Sequence, residues 1–207
     1  MRLLQMLLIS CILFSCQAIY AQQQFKVVEK STEGWKSIYQ LVDRKGQIIR
    51  TLDTATYYTC FTMDAYVYFA IFGKKGEKNW VALDARENVL FHVHNTSYGE
   101  PSPDYLVENK IRIVDSSGRI GFANNKGQIV IKPQFEAASP FQKRKAIIGQ
   151  TCEKIPWGHQ GEDSGCEHYS LVCKKYGYIN LKGQVEKIGD YSYEQVKKEL
   201  KWKDPEY

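Results

Sequence analysis

Cysteine and histidine crowd one stretch of the chain. Between Thr151 and Tyr169 stand Cys152, Trp157, His159, Glu162, Asp163, Cys166 and His168. Thiolate and imidazole are zinc ligands, and zinc needs about four of them converging tetrahedrally. The spacing here, Cys-x6-His-x6-Cys-x-His, lacks the close Cys-x2-Cys pairing of structural zinc sites. Disulfide formation is therefore the expected chemistry of these thiols in an oxidising compartment. A secreted enzyme or metal-binding protein centred on 152–168 is the alternative class. Trp157, His159 and Tyr169 are the candidate binding surface of the same stretch.

Elsewhere the sequence offers little catalytic apparatus. His92 and His94 share one face of a strand, as metal ligands could, but no third and fourth ligand lie near them in sequence. The alternation of Phe91 and Val93 with these histidines reads as a half-buried strand. Neither Gly-x-Ser-x-Gly nor Ser-x-x-Lys occurs. Gly73-Lys74-Lys75-Gly76 lacks the long glycine turn and following Lys-Ser/Thr of a phosphate loop, and reads as a hairpin turn. No catalytic residue, cofactor or metal site is assigned from the sequence.

The compartment is suggested by the first residues. Arg2 precedes an apolar run from Leu3 to Phe14, and small Ala21 closes the segment, the pattern of a secretory signal over residues 1–21. Such a run is too short to span a bilayer comfortably. Cleavage after Ala21 would leave Gln22 first. Leu13-Phe14-Ser15-Cys16 offers a competing lipoprotein box with a lipid anchor on Cys16, although bulky Phe14 sits where a small residue is usual. The chain is thus expected in the periplasm, on the outer surface or secreted. Four cysteines follow the signal: Cys60, Cys152, Cys166 and Cys173. A Cys152 to Cys166 bridge, closing a loop of about 15 residues, would contribute roughly 3 kcal/mol in the chain-entropy picture. Cys60 would then pair with Cys173.

Bulk properties narrow the class. The 207 residues are 43% apolar and 25% charged, an ordinary globular balance. Net charge is +5, and neither sign forms a run of five, so no electrostatic footprint for nucleic acid is visible. The alternation from Phe61 to Phe72 suggests a long strand burying one aromatic face.

The elements that must carry these residues are repeated. Leu41-Val42-Asp43-Arg44-Lys45-Gly46-Gln47-Ile48 corresponds to Phe122-Ala123-Asn124-Asn125-Lys126-Gly127-Gln128-Ile129 and to Tyr178-Ile179-Asn180-Leu181-Lys182-Gly183-Gln184-Val185. A weaker copy runs from Val81 to Leu90, with Glu87 at the glycine position. Each copy predicts a hairpin, because Asp or Asn bonds its own backbone and glycine supplies the positive φ of the reversal. Glu87 must use another turn or bear a conformational cost.

The third copy continues as Ile131-Lys132-Pro133-Gln134-Phe135-Glu136-Ala137-Ala138, then Phe141 and Ala146. With Gly121, Phe122, Asn124, Lys126 and Gly127, this stretch resembles the WG repeat family. The other copies depart from the pattern: the first keeps Gly34-Trp35 but lacks the proline, and the second keeps only Trp80 and Asp84. The resemblance implies an exported or surface repeat protein and supplies no catalytic residues.

The expected fold is all-β, an array of about four antiparallel hairpin or meander units near 34–72, 79–117, 118–150 and 176–190. A Cys-containing insertion spans 151–169, and a short helix opened by the Ser192-Tyr193-Glu194-Gln195 capping box lies in 191–207. Such units must stack to share a core. The function expected is a noncatalytic envelope module that binds a protein or glycan.

Overall fold

The computed structural model describes residues 23–32, 36–96, 102–156 and 169–203. The signal segment with Cys16, Gly34-Trp35, and Trp157, His159, Cys166 and His168 all lie outside them. The described chain is antiparallel β with one short C-terminal helix. It divides into two compact units, one running to Phe91 and including Asn125–Gly127, the other comprising His92–Asn124 and the residues from Gln128 onward.

In the first unit, β1 (Lys26–Thr32), β2 (Lys36–Val42) and β3 (Ile48–Asp53) form a meander. β4 (Tyr57–Cys60), β5 (Ala70–Lys74) and β6 (Trp80–Leu83) form another. Period-two alternation sends Tyr39, Leu41, Phe72, Val81 and Leu83 into one core, where Tyr39 and Tyr57 meet Phe72 edge-on at 5.6 and 5.5 Å. The hairpin expected at Gly73-Lys74-Lys75-Gly76 joins β5 to β6, with Gly73 and Lys74 still in β5. The long strand expected from Phe61 to Phe72 is broken, because Asp64 turns left-handed (φ 63°) and Thr62 Oγ1 accepts the Ile71 N–H. Phe61, Met63 and Tyr66 are consequently exposed. β7 (Val89–Val93) leads into the second unit.

The second unit begins with the small pair β8 (Asn95–Thr96) and β9 (Ser102–Pro103). β10 (Lys110–Val114), β11 (Ile120–Asn124) and β12 (Ile129–Phe135) follow as a meander, with His92–Val93 pairing to β10. The remaining strands are β13 (Ala137–Ala138), β14 (Ala146–Pro156), β15 (Tyr169–Ile179) and β16 (Val185–Gly189). Phe122, Ile131, Phe135, Phe141, Ile148 and Ile179 build the core. Helix α1 (Tyr193–Leu200) starts at the predicted capping box and packs Val196, with Trp202 just beyond it, on Ile147.

The repeated turn is a strand reversal wherever it occurs. At Asp43 the carboxylate accepts the N–H groups of Lys45 and Gln47, both at 2.8 Å, and Gly46 takes φ 81°. Asn180 and Gly183 repeat this, as do Asp84 and Glu87, where Glu87 accepts the left-handed backbone (φ 68°). Its carboxylate is held by Tyr57 Oη and Arg50 Nη1, each at 3.0 Å. A further copy, Asp115-Ser116-Ser117-Gly118, connects β10 to β11 with Ser in place of Lys. The glycine before the aromatic has a different cause. A Cβ on Gly121 would lie 2.5 Å from Ile131 O, and one on Gly177 would lie 1.8 Å from Lys187 O, so the partner strand fits only against glycine.

Candidate functional site

The two ends of the Cys/His stretch lie on a long hairpin. β14 and β15 stay in register from Ala146↔Ile179 to Pro156↔Tyr169, which sets Cys152 opposite Cys173. These two form the disulfide, with Cα atoms 3.9 Å apart. The expected bridges, Cys152 to Cys166 and Cys60 to Cys173, are therefore replaced, because the strand register and not the loop length decides which thiols meet. Cys60 is a free buried thiol whose pKa burial pushes up to about 11. A bridged sulfur is not a thiolate ligand, so Cys152 drops out of the zinc reading.

Side chains hold the base of this arm. Glu136, in the Phe-Glu-x-Ala element, accepts the Cys152 N–H at 2.8 Å and pairs with Arg119 at 3.3 Å. Its pKa is lowered by that backbone bond. On the other edge, Tyr176 Oη accepts the Cys173 N–H at 2.8 Å. Of the expected binding surface only Tyr169 is described, and it is exposed with Lys154 Nζ 4.3 Å from its ring centroid.

The histidine pair reads differently from an exposed couple. Phe91 and Val93 are buried as the alternation predicts, and His94 is half-buried. Burial, then the nearby Arg112 charge, pulls its pKa down to about 4. Beside it Asp104, 1% exposed, receives Arg112 Nε at 2.9 Å, Nη2 at 2.8 Å and the Arg112 backbone N–H at 2.9 Å. Arg112 Nη1 completes the set on Ala138 O at 3.0 Å. Among the described residues no cluster of His, Cys, Asp and Glu has the arrangement of a metal site.

A further concave feature lies elsewhere in the second unit. Tyr105, Leu106, Val107, Glu108, Pro140, Phe141, Gln142 and Trp202 line a shallow depression of about 410 Å³. Two tight turns rim it. Val107 and Lys110 exchange both backbone hydrogen bonds, and Gln142 and Lys145 do the same. The four central residues, Glu108, Asn109, Lys143 and Arg144, are all left-handed, with φ between 47 and 65°. Turns of this kind normally use glycine or asparagine. Three non-asparagine residues here carry strain of about 1–2 kcal/mol each, the kind of strain that clusters at binding sites.

The turns are clamped together. Glu108 Oε1 and Oε2 accept the Lys143 and Arg144 N–H groups at 2.6 and 2.9 Å. Gln142 bonds the backbone of Lys203 in both directions, at 2.7 and 3.0 Å, and Lys143 Nζ donates to Lys201 O. Trp202 is 7% exposed, and its indole N–H has no acceptor among the described residues. Tyr105 and Leu106 are 41% and 43% exposed, leaving apolar surface open.

A family model described as WG containing repeat matches residues 120–148. The chain carries a WG repeat. No curated protein matches the chain. The WG repeat runs through β11, β12 and β13 into β14, and Pro140, Phe141 and Gln142 within it supply one wall of the depression. Its Phe122 and Phe141 stack edge to face at 4.8 Å, so the repeat's own core seats that wall. Residues outside the WG repeat, Tyr105–Glu108 and Trp202, complete it. Nothing local in the sequence marks this site, because its three segments are far apart in the chain. The one available signal was the non-glycine pair at each two-residue turn.

Proposed function

We propose that the chain is an exported, noncatalytic binding module of the cell envelope, using the depression on its second unit. The observation that carries this reading is the pair of strained turns held by Glu108 around a depression of mixed polar and apolar lining. Strained backbone persists only where its surroundings over-determine it, and here those surroundings form a concave surface. The Cys152 to Cys173 bridge agrees with an oxidising compartment. Tyr169, exposed at the end of β15, is the described member of a second contact surface that in this reading also includes Trp157 and His159.

Export is tested by N-terminal sequencing of protein from the envelope fraction, where Gln22 is expected first. Binding is tested by crosslinked capture from envelope extract with the full chain and with Leu106→Glu, which places a charge in the floor. A partner recovered by the wild type and lost by the variant is the expected result. Identical recoveries by the two would remove the depression from the reading.

A further inference from the structure

The four-stranded sheet of the second unit covers only half of its long hairpin. β13 pairs with β14 at Ile148 and Gly149, and β16 pairs with β15 from Tyr176 to Ile179. Beyond them, residues 152–156 and 169–173 form a two-stranded arm with no third strand among the described residues. Such a ribbon is marginal in water by itself, and this one is stapled by the Cys152 to Cys173 bridge. It still leaves Ile155, Tyr169, Leu171 and Val172 between 38% and 51% exposed.

The two edges of the arm are not alike. In an antiparallel ladder the N–H and C=O groups of alternate residues point outward. The Cys152 and Cys173 N–H groups bond Glu136 and Tyr176, so the outward residues are 152, 154 and 156 on β14, and 169, 171 and 173 on β15. β14 carries the devices that block an edge: Glu136 occupies the first amide, Lys154 adds a charge at the second position, and Pro156 has no N–H. On β15 only the Cys173 amide is taken. Among the described residues nothing bonds the outward amides of Tyr169 and Leu171, and residues 169–173 carry no charge.

We infer that the free edge of β15 is an interface with a second copy of this chain, the two β15 strands pairing antiparallel about Leu171. In that register Leu171 lies opposite its own copy and exchanges both backbone hydrogen bonds with it. Tyr169 N–H donates to the C=O of the partner's Cys173, twice by symmetry, and Val172 faces the partner's Ser170. No charge meets its like. The same two-fold pairing on β14 would set Lys154 against its own copy and lack a donor at Pro156, so charge and free donors together select β15. A two-fold contact satisfies each open group of this edge with the same edge of the other chain and needs no second sequence. The inference is independent of the depression, whose lining includes no residue of β15.

Sedimentation velocity of the full chain over a concentration series tests it, reaching about 100 µM because an edge pairing is a small interface. Twice the monomer mass is expected at the upper concentrations, with slowed amide exchange at Tyr169 and Leu171. Leu171→Lys and Leu171→Glu each set like charges face to face and should weaken the pair about tenfold or more, while an equal mixture of the two should restore it. The Leu171 amide points away from β14, so both variants keep the arm's own ladder and bridge, which circular dichroism and unreduced digestion check. Val130→Lys, at an exposed residue of the edge strand β12, should change nothing. A monomer at every concentration overturns the inference, as does a pair indifferent to both Leu171 variants, or a mixture that stays apart. Loss of the pair with Val130→Lys, and not with the Leu171 variants, places the contact on β12 and overturns it equally. A monomer that captures a different protein from envelope extract, lost with Leu171→Lys, overturns the second copy as the occupant.

Discussion

Asp104→Ala is the substitution whose outcome the second unit states most clearly. Asp104 is 1% exposed and accepts three hydrogen bonds from Arg112, two of them from the guanidinium in bidentate geometry at 2.9 and 2.8 Å. Removing the carboxylate leaves a buried guanidinium whose remaining acceptor among the described residues is Ala138 O. Breaking a buried pair in this way costs about 3–5 kcal/mol, because the remaining charge keeps its desolvation cost and loses its compensation. Replacing both partners by apolar residues of similar volume is often nearly neutral, so Asp104→Leu with Arg112→Met should recover about 2 kcal/mol or more of that loss. Urea unfolding followed by both fluorescence and circular dichroism measures each stability. The reasoning would be refuted by an Asp104→Ala variant within about 1 kcal/mol of wild type, or by a double variant less stable than the single one.

Acid should loosen the second unit through His94. Its folded pKa, about 4, lies below the ordinary histidine value of 6.5, so the folded state binds fewer protons and stability is fully present above pH 6.5. That stability, on the order of 3 kcal/mol, is expected to be lost as pH falls from 6.5 toward 4, and His94→Gln should flatten the slope of unfolding free energy in this window. Digestion of the unreduced protein should yield a peptide pair linked by Cys152 and Cys173, with Cys60 alkylated only after unfolding. Cys152→Ser with Cys173→Ser should lower stability by about 3 kcal/mol, from the length of the closed loop. Gly177→Ala should destabilise by more than about 2 kcal/mol, since its Cβ would lie 1.8 Å from a backbone oxygen, and a neutral result in a melting experiment would contradict the close approach of β15 and β16.

What the residues themselves announced was local. Asp or Asn followed by Lys-Gly makes its own hydrogen bonds within five residues, so the reversals at Asp43, Asn124 and Asn180 needed no tertiary context. The Ser192 capping box is equally local, as is the antiparallel β class that follows from repeated hairpins. Even the copy at Asp115 was open to view, had Ser been admitted where Lys was expected.

The tertiary structure decided whatever depends on which distant residues become neighbours. Strand register placed Cys173 opposite Cys152, and a left-handed Asp64 ended a run that alternation alone would have continued. Arg112 and Asp104, unremarkable charges in the sequence, became a buried pair because His94 bonds both β10 at Arg112 and the segment after β9 at Asp104. The depression escaped any reading of the sequence for the same reason: its lining comes from three separated segments, around Tyr105–Glu108, Pro140–Gln142 and Trp202, and proximity in space is not encoded in chain order.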